Sequence, residues 1–163
     1  MNQNIYNKLT EILPVAQVKA DEPMKNHITF RVGGPADVYV IPKTKEELLQ
    51  VITCCKAENI SYYIIGNGSN LLVGDKGYRG VVIQIFKEMN EITCEENVIR
   101  AQAGALLSQV AAKALEQSLT GFEFAAGIPG TLGGACVMNA GAYGGEMKDV
   151  LKEVTVLTDE GEF

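Results

Sequence analysis

The chain has no tryptophan, a single histidine (His27) and four cysteines, Cys54, Cys55, Cys94 and Cys136, none of them in a C-x-x-C pair. With no second histidine or cysteine at ligand spacing beside His27, a zinc or iron–sulfur site is disfavoured. The thiols read instead as small, reduced, mostly buried side chains of a cytosolic protein. No stretch supplies the ~18 uninterrupted apolar residues of a membrane span. The N-terminus (MNQNIYNKLTEIL) lacks the basic segment and apolar run of a secretion signal. Basic residues are the minority, 14 against 20 acidic ones, for a net charge of −6. That balance argues against nucleic acid or an anionic membrane surface as the main partner. It leaves a phosphate ligand open, because backbone amides bind phosphate without a basic patch.

Three familiar signatures are also missing. No G-x-x-x-x-G-K-[ST] occurs, so there is no P-loop. Gly66-Asn67-Gly68 begins like a dinucleotide fingerprint, but position 71 is Leu71 and no helix pattern follows. No G-x-S-x-G nucleophile elbow is present. Internal repeats and low-complexity tails are absent as well.

What the chain has is glycine in concentrated places. Residues 121–145 (GFEFAAGIPGTLGGACVMNAGAYGG) hold eight of its 17 glycines, and Glu123 is the only charge there. Glycine raises the backbone entropy lost on folding, so such a run marks turns with φ > 0 or close backbone approach. A second concentration, Gly66-Asn67-Gly68-Ser69-Asn70, directly follows the apolar run Tyr62-Tyr63-Ile64-Ile65. Two glycine loops offering bare N–H groups suggest a large anionic ligand, with a nucleotide diphosphate the natural candidate. Each loop has a plainer reading too. The first would also suit an Asn-Gly hairpin turn, and the second tight helix packing through small residues.

Periodicity supplies the frame. Ile5, Leu9, Ile12 and Leu13 form the stripe of a helix that stops at Pro14. A polar linker over residues 17–26 follows, then a strand at 36–41. Thr44 and Glu47 make a capping box, each side chain meeting the other's amide, for a helix burying Leu48, Val51, Ile52 and Cys55. Strands are expected at 61–65, briefly at 71–73, and at 81–85. A hairpin turns at Glu95-Glu96-Asn97. A helix over 106–117 should point Leu106, Val110, Ala114 and Leu115 inward, and Thr131 should open a short helix. A last strand at 154–157 runs into a turn signal, Thr158-Asp159-Glu160-Gly161, with too little chain behind it for a return strand. That reads as a chain cut inside a hairpin.

On three segments, 26–34 (NHITFRVGG), 66–70 (GNGSN) and 127–145 (GIPGTLGGACVMNAGAYGG), the chain resembles the bacterial UDP-N-acetylenolpyruvoylglucosamine reductases. The resemblance implies an α+β fold, the FAD-binding domain of the vanillyl-alcohol-oxidase (PCMH) type, with two small α/β lobes over residues 26–163 after an N-terminal helix and linker at 1–25. It implies non-covalent FAD, NADPH as co-substrate, and a UDP-sugar enolpyruvyl ether reduced in the cytoplasm for peptidoglycan synthesis. Gly66, Asn67, Gly68, Ser69 and Asn70 would wrap the FAD diphosphate. Gly127, Ile128, Pro129, Gly130, Thr131 and Gly134 would line the other side of the dinucleotide. Asn139, Ala140, Gly141 and Ala142 would pass near the isoalloxazine, with Tyr143 at the mouth where substrate and nicotinamide alternate. The arginine, serine and glutamate that such a reaction needs would lie beyond Phe163. Arg31, Arg79 and Arg100 match none of those positions, and Glu123 and Glu146 read as ordinary polar residues. The expectation is a cofactor-binding part, inactive by itself. Another flavoprotein of this fold and a non-catalytic nucleotide-binding fragment are the alternatives.

Overall fold

Val38 and Val40 alternate with Tyr39, and Val81 and Ile83 alternate with Val82, and all six side chains are buried. Strands apolar on both faces need cover on both, and the fold follows from how the chain supplies it. The computed structural model describes residues 3–158 and 160–162. Helix α1 (Gln3–Ile12) leads into strand β1 (Val18–Pro23) and strand β2 (Pro35–Val40). Helix α2 (Lys45–Ala57), β3 (Tyr62–Ile65) and β4 (Tyr78–Gln84) follow. These strands make one sheet in the order β1-β2-β4-β3, with β1 antiparallel to β2 and β4 parallel to both its neighbours.

One face of the sheet, Val38, Val40, Val81 and Ile83, lies under Ile5 and Leu9 of α1 and Leu48, Val51, Ile52 and Cys55 of α2. The other carries Tyr39 and Val82, covered by Met24, Ile28 and Ile65. The rest of the chain builds a separate small core. Hairpin β5 (Ile92–Glu95) and β6 (Val98–Ala101) precedes helices α3 (Leu107–Glu116) and α4 (Leu132–Met138). Leu107 and Ala135 of those helices pack with Ala125 and Met147. A miniature hairpin, β7 (Gly141–Ala142) and β8 (Gly145–Glu146), closes the order. The mixture of helices and sheets is the expected α+β class.

A bulge sets the alignment of β4. Ala36 pairs with Tyr78, but Val38 pairs with Val81, so β4 carries one extra residue there. Asp37, buried between the strands, receives the Gly80 N–H at 3.1 Å and the Arg79 guanidinium at 2.7 Å. Arg79 also donates to the carbonyls of Pro35 (2.7 Å) and Lys76 (3.1 Å), tying the 74–77 turn to the start of β2.

Several expectations are corrected. Residues 17–26 are no linker: they contain β1, whose outer position leaves only Val18 of its six residues buried. An edge strand with a single buried residue gives little alternation to read, and its ladder to β2 identifies it instead. The capping box is half formed. The Thr44 hydroxyl accepts the Glu47 N–H at 3.2 Å, but the Glu47 carboxylate takes the Lys43 N–H (2.7 Å) and the Gln17 amide (2.8 Å). Residues 71–73 and 154–157 form no strand. In the latter, Leu157 touches the first core while Val154 and Val156 stand exposed, with no neighbouring strand to receive their backbone groups. The turn signal does form, with the Thr158 N–H on the Glu162 carbonyl at 2.8 Å and Gly161 at φ +86°, although its Asp159 lies outside the described residues. Helix α3 begins one residue later than predicted, so Leu107 enters the core while Leu115, one residue or ~100° past Ala114, is 80% exposed.

These burials set the expected cost of truncation. Leu9→Ala removes a fully buried side chain from beneath the sheet and should cost about 2–5 kcal/mol in urea denaturation. Leu115→Ala should stay within about 0.5 kcal/mol. Burial pushes the Cys55 thiol up to about 12, with neighbouring Cys54 adding to the shift, so Cys55 should remain unreactive toward a thiol reagent in the folded chain at about pH 8 and react once unfolded.

Candidate nucleotide-binding site

The strand β3 ends at Ile65 and the chain turns at once into residues 66–70, at the carboxyl end of the parallel strands, where open α/β sheets place their ligands. Gly66 sits so close to Thr131 that a Cβ built on it would lie 2.1 Å from the Thr131 hydroxyl oxygen. Gly68 has φ +69°, and a Cβ there would lie 2.2 Å from the His27 carbonyl oxygen. Both glycines are thus required by close approach of the protein to itself. The Gln84 side chain donates to the Gly66 carbonyl at 3.1 Å, and the Thr29 N–H donates to the Gly68 carbonyl at 3.2 Å.

The second glycine run meets the first. The Asn67 side chain donates to the Pro129 carbonyl at 3.2 Å, and Ser69 Oγ lies 3.9 Å from where a Gly130 Cβ would stand. Residues 130–132 are themselves anchored by a single bridge. The Leu107 N–H donates to the Gly130 carbonyl at 3.0 Å, and the Leu132 N–H to the Ala105 carbonyl at 2.8 Å. Thr131, only 2% exposed, is the N-cap of α4. Gly134 falls in the first turn of α4, its would-be Cβ 3.4 Å from the Thr131 hydroxyl oxygen. Gly127 differs from the others: nothing lies within 4 Å of its would-be Cβ, so its face is open. Ile128, beside it, packs into the third core.

The amides of Asn67, Gly68, Ser69 and Asn70 donate to no acceptor among the described residues. Successive backbone N–H groups without an acceptor on a tight glycine loop are available to an anion. A cleft of about 380 Å³ adjoins them, lined by Asn67, Gln84, His27, Thr29, Arg31 and Lys87 among others. Two cations and no carboxylate line this cleft, in a chain of net charge −6. Arg31 (φ +55°) and Lys87 (φ +70°) both hold left-handed backbone, an uncommon conformation for such residues. Sequence reasoning set Arg31 aside and did not single out Lys87. Arg31 sits within the 26–34 motif, but the topology that sets Lys87 opposite it is invisible in the sequence.

The remaining predicted residues lie elsewhere. Asn139 caps the far end of α4, ~12 Å along the helix from Thr131. Its backbone is left-handed (φ +45°) and both ends of its amide are engaged, with Glu146 at 2.9 Å and the Lys148 N–H at 3.0 Å. The Lys148 ammonium and the Asn139 side-chain amide both donate to the Glu146 carboxylate and hold it below its ordinary range. The Ala140 carbonyl accepts the Met147 N–H at 3.0 Å. Gly141 and Ala142 form β7 and line a second cleft of about 360 Å³. Tyr143 (φ +53°) and Gly144 (φ +89°) make the two-residue turn of this hairpin, with the Tyr143 ring 98% exposed. The structure therefore brings 66–70 and 127–131 together and sets 139–143 apart, across α4.

This arrangement defines a nucleotide-binding fold, and the kind of nucleotide follows from comparison. A family model described as an FAD binding domain matches residues 36–163. The chain belongs to that FAD-binding domain family. It is 55% identical over 160 residues to the UDP-N-acetylenolpyruvoylglucosamine reductase of Clostridioides difficile (strain 630), covering 98% of this chain and 53% of that protein. It is 54% identical over 157 residues to the reductase of the same name from Alkaliphilus oremlandii (strain OhILAs), covering 96% and 52%. The chain thus spans about half the length of the curated relatives it matches. Among solved structures it is similar to UDP-N-acetylenolpyruvylglucosamine reductase (MurB) from Thermus caldophilus, at 38% identity and a TM-score of 0.69 over 83% of this chain and 47% of that one. It shares its fold with p-cresol methylhydroxylase (TM-score 0.62, 18% identity, 85% and 29% covered), which places it in the PCMH fold.

The glycine contacts make a graded test. Gly66→Ala and Gly68→Ala force a methyl into occupied space and should each lower thermal stability by about 1–3 kcal/mol. Gly74→Ala, with nothing within 4 Å, should be neutral within about 0.5 kcal/mol in the same melts.

Proposed function

We propose that this chain is the FAD-binding part of a cytoplasmic, NADPH-dependent reductase that converts UDP-N-acetylglucosamine enolpyruvate to UDP-N-acetylmuramate for peptidoglycan precursors. The observation that carries the reading is the run of backbone amides at 67–70 without an acceptor among the described residues, on a loop whose Gly66 packs against Thr131, the N-cap of α4. Dinucleotide diphosphates need convergent N–H donors more than they need positive side chains. An acidic chain that lacks a P-loop meets that need with backbone.

In this reading Gly66, Asn67, Gly68, Ser69 and Asn70 hold the diphosphate. Gly127, whose face is open, lets Ile128, Pro129, Gly130 and Thr131 lie along the dinucleotide, with Gly134 in the following turn. Residues 139–142 and Tyr143 approach the ring end of the cofactor from the far side of α4. FAD, when bound, supplies the hydride chemistry. The residues here bind and orient it and shield it from water. Reduction of the enolpyruvyl group also needs a cation or protonated neighbour for the developing enolate and a donor for the adjacent carbon. We assign those groups to the part of the relatives that this chain does not span, so the chain by itself binds flavin without turning over substrate. No helix of the described residues is long and apolar enough to cross a membrane.

The purified chain should carry, or take up from added FAD, a flavin absorption spectrum whose chromophore is released into the filtrate on denaturation. Gly68→Val should lose that spectrum, since the side chain collides with His27 and disrupts the loop. A protein that stays colourless with excess FAD, while folded by circular dichroism, would overturn the reading.

A further inference from the structure

His27 sits at the join between the sheet and the 66–70 loop, and the cofactor reading gives its side chain no role. Residues 24–29 form a shelf. Met24–Asn26 is a single 3-10 turn closed by the His27 N–H on the Met24 carbonyl at 2.9 Å, and Met24 and Ile28 are buried. Gly68 rests on this shelf. Its would-be Cβ position lies 2.2 Å from the His27 carbonyl oxygen, and its own carbonyl accepts the Thr29 N–H at 3.2 Å. The shape of the loop therefore depends on where the backbone of residues 27–29 lies.

That backbone is held by the imidazole. The His27 ring stacks on Tyr39 of β2, with centroids 4.0 Å apart and planes 27° apart. Its Nε2 lies 2.7 Å from the Glu22 carboxylate on β1. Glu22 also receives Lys19 Nζ at 3.3 Å. Burial alone would raise the Glu22 carboxyl, but the hydrogen bonds from His27 and Lys19 outweigh it and hold the carboxyl below its ordinary range, so it stays ionised as the acceptor. Tyr39 is fully buried, and its hydroxyl has no hydrogen-bond partner among the described residues. One side chain thus ties two strands to the loop that carries the bare amides.

We propose that His27 is a positioning residue for the 66–70 loop, holding through its bond to Glu22 and its stack on Tyr39 the backbone on which Gly68 rests. This rests on the cofactor reading above for its functional meaning, but the hold on the loop is measurable without cofactor. The reporter is the Thr29 amide, whose hydrogen exchange registers the bond to Gly68. In His27→Phe, which keeps a ring on Tyr39 and loses the donor, Thr29 protection and FAD affinity should each fall about tenfold, the scale of one charge-assisted hydrogen bond. Protection in α3 should not change. In His27→Gln, whose side-chain amide reaches Glu22 from a similar position, both should recover to within about threefold of the unmodified chain. Glu22→Leu, which leaves His27 and the stack in place, should repeat the His27→Phe result and serves if that variant fails to fold.

Unchanged Thr29 protection in His27→Phe and Glu22→Leu, or equal loss in His27→Gln and His27→Phe, would overturn the proposal. A loosened Thr29 with no flavin uptake by the unmodified chain would sink the cofactor reading and leave the positioning role standing. Firm flavin uptake unaffected by any of the three variants would do the reverse.

Discussion

The structure hinges on close approach of three backbone segments that come from distant parts of the chain. Residue 68 lies against residue 27, and residue 66 lies against residue 131, each at a distance that excludes a β-carbon. The contact of residue 66 is with the Thr131 side chain, and that of residue 68 is with the residue 27–28 backbone, where the Thr29 N–H donates to the Gly68 carbonyl at 3.2 Å. The backbone amides of 67–70 donate to no acceptor among the described residues, which suits the loop to the diphosphate role proposed for it. The requirement that looks like one for ligand space is therefore first a requirement for self-packing.

Everything else serves to hold those three segments in place. The sheet fixes the first through β3, whose parallel pairing to β4 sets where residue 66 emerges. The bulge at Gly80, pinned by buried Asp37 and Arg79, sets the register of β4 in turn. The second segment is fixed by the Leu106–Thr131 bridge to the start of α3, and by the packing of α3 and α4 on Ala125 and Met147. The third, residues 24–29, is held by burial of Met24 and Ile28 and by the His27 contacts to β1 and β2. Two apolar clusters back the loop, one holding Met24, Ile28 and Ile65 behind the first and third segments and the other holding Leu107 and Ala135 behind the second. A substitution in either of them reaches the site through the backbone, without touching a ligand.

Membership in the FAD-binding domain family fits this logic. A dinucleotide is long and flat, with its charge at the middle. A small glycine loop flanked by an open glycine face and a basic cleft suits such a shape better than a pocket built from charged side chains would. It also explains how an acidic chain meets an anionic cofactor: the two cations of the cleft, Arg31 and Lys87, are placed locally against the overall charge.

Local chemistry made much of this legible in the sequence. The α1 stripe, the buried face of α2, the β5–β6 hairpin and both glycine loops announce themselves in periodicity, turn residues and composition, because neighbours along the chain decide them. The resemblance carried by three short segments named the cofactor. Other features depend on partners far away along the chain. β1 is a strand because β2 offers it a ladder, not because its own residues alternate. Residues 154–157 have strand-like side chains and no strand to pair with. Leu115 was misplaced by one residue of helix phase, which only the packing of Leu107 resolves. The sequence determined that two glycine-rich loops would exist and that a phosphate would suit them. Tertiary structure alone decided that Gly66 faces Thr131, that Gly68 rests on His27, and that Arg31 and Lys87 share a cleft, since distances across 40 or 60 residues are set by sheet order and core packing.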